Sequence, residues 1–157
     1  VSWILILVLL FIPALYNKKK INDGLIEWKD DYSVGIEAID NDHKKLLNLL
    51  NQVNTAYDYA MSESYEKAAL EDLVNYTKYH FEREEQLMAD NDYPDLAAHK
   101  LQHKNMIDQV DYFVERYNKE GHECLHVISD FLTKWLINHI NGTDKAYSKH
   151  LLDRGVS

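Results

Sequence analysis

An all-α fold is what this sequence predicts: an up-down-up-down four-helix bundle with an extended N-terminal arm and a short C-terminal helix. Three observations carry the prediction. Apolar residues recur in four separate stripes with steps of three and four, the period of a helix face. No segment sustains the alternation of a strand. Five Gly and two Pro in 157 residues leave little material for the turns of an all-β chain. The length suits one compact domain with a sizeable core, which we place at residues 21–157.

Residues 1–20 stand apart from that domain. Residues 1–16 carry no charge, and Lys18, Lys19 and Lys20 follow directly. A spanning helix needs about 20 apolar residues, so the run is short. A secretory leader would put its positive charges first, and here they come last. By the positive-inside rule the lysines would keep the following chain on the cytoplasmic side. The expectation is a cytoplasmic protein, with residues 1–16 either tethering it to the inner face of the membrane, or a truncated leader, or an artefactual upstream stretch.

The segment from Ile21 to Ala38 contains Gly24, Trp28, Ser33 and Gly35 and reads as an arm lying against the domain. A first helix starts near Asp40, with the stripe Ile39, His43, Leu46, Leu50, Val53, Tyr57 and Ala60. A second runs from about Ser64 to Asp90, through Leu70, Leu73, Tyr76 or Thr77, His80, Glu84 and Leu87. Pro94 opens the third, whose stripe is Leu96, His99, His103, Met106, Val110, Phe113 and Tyr117. Gly121 separates it from a fourth, striped by Leu125, Ile128, Leu132, Trp135 and His139. Asn141 and Gly142 are expected to end that helix, and a short last one covers about Thr143 to Asp153.

Composition narrows the function. Seventeen Lys and Arg against 26 Asp and Glu give a net charge of −9, which argues against a nucleic-acid surface. One cysteine, Cys124, excludes an intramolecular disulfide framework and a thiolate metal cage. The polar residues inside the apolar stripes are more telling, because a buried His or Glu is costly unless something satisfies it. In an up-down-up-down bundle the starts of helices one and three share an end with the finishes of two and four. His43, His80, Glu84, His99, His103 and His139 therefore converge at one level. His80/Glu84 and His99/His103 are spaced i, i+4, so each pair can point at one ion. Asp144 lies five residues past His139, about 140° around a continuous helix, and the Asn141-Gly142-Thr143 break is expected to bring it back. Five imidazoles and two carboxylates exceed a closed zinc site and suit two six-coordinate ions of the iron or manganese type.

His43 in IDNDHKKL, HFERE from His80 to Glu84, HKLQH from His99 to His103 and WLINHINGTD from Trp135 to Asp144 resemble the hemerythrin family in its bacterial form, over about residues 24–154. The resemblance implies two iron ions (Fe2+/Fe3+) joined by a bridging oxo or hydroxo group. His99, His103 and His139 would bind one, His43 and His80 the other, with Glu84 and Asp144 bridging. On that assignment the first iron is fully coordinated and the second keeps one open position. The implied function is reversible dioxygen binding for storage, delivery or sensing, without enzymatic turnover. The residues matching the family's oxygen pocket are Leu46, Phe81, Trp135, Leu136 and Ile140, each equally suited to ordinary bundle core. Asp42 is a departure, since many relatives carry Gln before the first ligand.

Two further readings use the same centre: a di-iron oxidase or peroxidase, and a membrane-linked oxygen-sensing module or delivery protein with a membrane oxidase as acceptor. The Glu-x-x-His pair of ferritin-like oxidases is missing, which favours binding. His122-Glu123-Cys124-Leu125-His126 matches the H-E-x-x-H of zinc proteases. Both of its histidines fall off the apolar stripe about 20 Å or more along the helix from His139, so they read as a solvent-facing pair. His150 and Cys124 read as surface or satellite positions.

Overall fold

The structure, a computed structural model, describes residues 24–157. The proposed anchor at residues 1–16 and the lysines after it lie outside the described residues. Among those described, no helix is long and apolar enough to cross a membrane. The elements are a short 3₁₀ helix at Asp30–Tyr32, then α1 (Glu37–Asp58), α2 (Glu63–Asp90), α3 (Leu96–Glu120) and α4 (Cys124–His139), a π-helical turn at Ile140–Asp144, and α5 (Lys145–Leu152). Short connections force α1 to α4 to run alternately up and down. Each packs against its neighbour in sequence, and α1 also packs against α4 to close the bundle.

Local chemistry sets the helix ends. Ser62 caps α2 by accepting from the Tyr65 N–H at 3.3 Å. Gly121 ends α3 at φ +76°, a left-handed conformation that suits glycine. The start of α1 lies earlier than Asp40 because Asp40 itself organises the turn before it. Its carboxylate accepts from the Val34 N–H at 2.8 Å and the Ser33 hydroxyl at 2.5 Å. Gly35 follows at φ +78°, and a Cβ there would meet a Leu152 methyl at 3.2 Å.

The arm adheres to α1 through backbone and ring contacts. The Ile26 N–H donates to Asn51 Oδ1 at 2.8 Å, and Asn51 Nδ2 donates back to the Ile26 carbonyl at 2.9 Å. The Lys44 ammonium lies 5.0 Å from the Trp28 ring centre. Tyr32, Val34 and Ile36 are buried at alternate positions, so the arm packs into the core with a strand-like rhythm.

The predicted stripes form the core: Leu46, Leu50 and Val53 of α1, Leu70 and Leu73 of α2, Met106, Val110 and Phe113 of α3, and Leu125, Ile128 and Leu132 of α4 are all buried. Each such burial stabilises by about 1.5–3 kcal/mol. Two sequence expectations need correction. Cys124 is buried core, one residue before Leu125 and one turn before Ile128. The fourth helix does not break at Asn141-Gly142; it widens into the π turn and continues into α5.

Candidate metal centre

That π turn matters for the site. Hydrogen bonds from i to i+5 place residues five apart on one face, as residues four apart are in an α-helix. Asp144 therefore returns to the face of His139 without a break, and its Oδ1 lies 3.0 Å from His139 Nε2. The seven sequence candidates come together at one end of the bundle, and all are buried. Among the described residues, two groups have ligand atoms within 4.8 Å of one another: Glu84 with His99, His103 and His139, and His43 with His80 and Glu84. The two carboxylates join the groups. Glu84 lies 3.3 Å from His103 Nε2 through Oε2 and 3.8 Å from His43 Nε2 through Oε1. Asp144 lies 3.4 Å from His43 Nε2 through Oδ2 and reaches His139 through Oδ1.

Imidazole tautomers decide what such a cluster wants. His103 Nδ1 is 3.0 Å from the Glu85 carboxylate, an acceptor, so the proton sits on Nδ1 and the Nε2 lone pair is free. His139 Nδ1 is 2.9 Å from Thr143 Oγ1, whose own hydrogen goes to the His139 carbonyl at 3.3 Å, and the same assignment follows. Yet His103 Nε2 faces His139 Nε2 at 3.2 Å and His99 Nε2 at 2.9 Å. The His103 and His139 lone pairs at that distance repel unless a cation lies between them. On the other side, His80 Nδ1 faces the Asp42 carboxylate at 3.4 Å, which frees its Nε2 toward Glu84 Oε2 at 3.4 Å.

Hydrogen bonding leaves further atoms of the cluster unsatisfied. Among the described residues, His43 Nδ1 and Nε2, His80 Nε2, Glu84 Oε2 and both Asp144 oxygens are buried without a hydrogen-bond partner. Buried polar atoms left that way cost about 1–3 kcal/mol each, so a fold that concentrates them is suited to hold a cation. The donor set, imidazole and carboxylate without thiolate, fits iron. Proton affinities point the same way. Burial disfavours a charged His43, but Asp144 and Glu84 outweigh it and raise the ring to about 9. Burial and the neighbouring His103 lower His99 to about 4. Glu84 is held well below the usual carboxylate range despite burial, by His80, His103 and His43. Burial, Glu84 and Asp144 raise Tyr147 well above its ordinary value, keeping its hydroxyl protonated to donate to Glu84 Oε1 at 2.6 Å.

Beside the histidines lies a narrow apolar cavity, lined by Leu46, Phe81, Trp135 and Leu136 together with Thr77 and Met106, among others. The volume open to the centre of a water-sized sphere is about 20 Å³, little more than one small molecule requires. Phe81 stacks on His103 with ring centres 3.8 Å apart, and Trp135 stacks on His139 at 4.2 Å. Thr77 spends its hydroxyl on the Leu73 carbonyl at 2.8 Å. Ile140 is buried but is not among the residues lining this cavity.

Sequence reasoning passed over three supports of the site. Glu85 and Thr143 orient His103 and His139, and Tyr147 orients Glu84; the signal for Tyr147 was its position one helical turn past Asp144. His122 also needs correction. It is not solvent-facing: its Nδ1 lies 2.6 Å from Glu66 Oε1 at the far end of the bundle, and its ring stacks on Tyr57 at 4.9 Å. His126 is exposed, as expected, and stacks on the same tyrosine at 5.2 Å. His150 is half-buried and donates to the Asn91 carbonyl at 2.8 Å.

Fold and site together define a four-helix-bundle protein whose clustered histidine and carboxylate groups could hold metal ions. Residues 34–151, which contain all seven candidate ligands, match the family model described as the hemerythrin HHE cation binding domain. The chain belongs to the hemerythrin family. It is 35% identical over 125 residues to a bacteriohemerythrin of Stenotrophomonas maltophilia, covering 80% of each chain. It is 31% identical over 127 residues to one from Clostridium acetobutylicum, covering 76% of this chain and 96% of the relative. A wild-type hemerythrin crystal structure superimposes with a TM-score of 0.71 at 26% identity, covering 82% of this chain and 98% of that one. The family binds dioxygen at a non-heme di-iron site, and this chain is an oxygen-binding protein of that family.

Proposed function

We propose that residues 21–157 form a domain that binds dioxygen reversibly at two irons, one held by His99, His103 and His139 and the other by His43 and His80. Glu84 and Asp144 would serve both irons, with an oxo or hydroxo group completing the centre. The observation that carries this reading is the set of buried lone pairs facing one another from two imidazole groups with both carboxylates between them. Bound iron supplies the reversible electron transfer that dioxygen binding requires.

The chain's own residues do the rest. Glu85 and Thr143 fix the tautomers that turn Nε2 of His103 and His139 inward. Tyr147 holds Glu84 by one oxygen and leaves the other free. Leu46, Phe81, Trp135 and Leu136 keep water from the pocket, and Thr77, its hydroxyl already committed, offers no proton there. A dry pocket without a proton source favours release of dioxygen over its reduction. Ile140 is buried bundle core that does not line this pocket. Tethering through residues 1–16, and delivery to a membrane oxidase, rest on the sequence of that segment alone.

Iron stoichiometry and visible absorption of the anaerobically reduced protein test the reading, measured before dioxygen, with it and after its removal. Two irons per chain and a colour that comes and goes with dioxygen are expected. Immediate irreversible oxidation would overturn reversible binding in favour of oxidase chemistry, and a different metal would overturn the iron assignment.

A further inference from the structure

Asp42 is almost fully buried next to a candidate ligand, yet its carboxylate faces away from the metal groups toward α2. Three side chains of one α2 face meet it, at spacings of four and three residues. The Tyr76 hydroxyl donates to Oδ1 at 2.8 Å, Arg83 Nη1 donates to Oδ1 at 3.1 Å and Oδ2 at 3.2 Å, and His80 Nδ1 lies 3.4 Å from Oδ2. A single α1 carboxylate is thus clasped by the helix that carries His80.

Resting on the assignment of His80 as an iron ligand, the geometry points to Asp42 as the positioning residue of the second iron, with its charge tempered by Arg83. A carboxylate at Nδ1 fixes the proton there, aims Nε2 at the metal and makes the imidazole a stronger donor. A stronger, more negative donor favours the ferric over the ferrous ion. Each metal group then contains one carboxylate-backed imidazole, but the two differ. Glu85, behind His103, has a quarter-exposed side chain and lies 3.6 Å from Lys100. Asp42 is 4% exposed and is tied on both oxygens. Arg83, with a side chain 38% exposed, sits at the water boundary of the clasp, so its cation cancels part of the charge that reaches His80. The two residues act on the iron with opposite sign.

The test uses the full chain and four proteins: wild type, D42N, D42A and R83M. Iron content, the ferric/ferrous midpoint potential and Co(II) titration of the metal-free protein are measured, with circular dichroism to establish folding. D42N keeps an acceptor without the charge and is expected to retain two irons while its potential rises. R83M is expected to lower the potential. D42A, which loses the acceptor, is expected to weaken one of the two Co(II) sites by about 10- to 100-fold and leave the other unchanged. Should D42A fail to fold, the opposed shifts in D42N and R83M still decide the matter. Potentials that stay put, or move in the same direction in both, overturn the role of Asp42 and leave the di-iron reading standing. A wild-type chain that takes up fewer than two irons overturns that reading, and the role of Asp42 with it.

Discussion

The bundle buries a carboxylate among histidine and tyrosine side chains at both of its ends, and the two ends treat it in opposite ways. At the far end Glu66 is 4% exposed, and both of its oxygens are answered: Oε2 by the Tyr117 hydroxyl at 2.7 Å, Oε1 by His122 Nδ1 at 2.6 Å. At the metal end Glu84 receives one hydrogen bond, from Tyr147, while its second oxygen and both oxygens of Asp144 receive none. The same residue types thus make a closed hydrogen-bonded cluster in one place and an open ligand set in the other. Polarity in a helical core does not identify a site. Imidazole and carboxylate atoms gathered together and left unsatisfied point to one, because burying them costs free energy that a bound cation can return.

Removing the metal should separate the ends most sharply. Chelation of the iron-loaded protein is expected to lower the melting temperature, since each site held at a hundredfold excess over its dissociation constant contributes about 2.7 kcal/mol. Hydrogen exchange localises the loss: amides around His80 and His103 should lose protection, while those around Glu66 and Tyr117 keep theirs until global unfolding. Equal loss at both ends would mean that the far cluster also depends on the metal.

His103→Ala and His122→Ala come next. The first removes an imidazole that faces both His99 and His139, and iron content should fall. The second leaves Glu66 Oε1 buried without a donor, so the chain is expected to lose about 1–3 kcal/mol in denaturant melts while its iron content stays at the wild-type level. Matching iron contents in the two variants would break the ligand assignment.

How much of this was legible in the sequence follows from which residues obey helical phase. The stripes of α1 to α4 placed the core, and the polar residues on them converge because antiparallel packing permits little else. His122 precedes the first residue of α4, so extending the α4 stripe backward put it in solvent while the loop turned it onto Glu66. Asp144 was foreseen on the right face for the wrong reason: a glycine was taken to break the helix, whereas a π turn absorbs the extra residue and keeps it continuous. The early start of α1 was hidden because the Asp40 bonds to Ser33 and Val34 are side-chain contacts without periodicity. Glu85, Thr143 and Tyr147 were passed over because their roles exist only through the residues they hold, and position alone does not say which partner a polar side chain meets.

Leu136→Asn asks whether the pocket, and not the ligands alone, distinguishes the metal end. Leu136 is 6% exposed and lines the apolar cavity. An amide there brings a donor and a foothold for water. Iron loading should be unchanged and oxidation to the ferric form faster, followed by the decay of the oxygenated spectrum. An unchanged rate would remove dryness of this cavity from the account.

The smallest effect is expected of Glu66→Gln, and its smallness is the informative part. The amide oxygen can still accept from Tyr117, and the amide N–H can donate to His122 Nδ1 once that ring moves its proton to Nε2. The far cluster needs a matched set of donors and acceptors, and Gln supplies one, so the stability change should stay below about 1 kcal/mol with full iron content. Glu84 has no such exchange available, because an amide nitrogen turned toward the histidines has no lone pair to offer a metal. A loss of iron in Glu66→Gln would show that the far carboxylate is coupled to the centre through the length of the bundle, and the two ends would then have to be treated as one system.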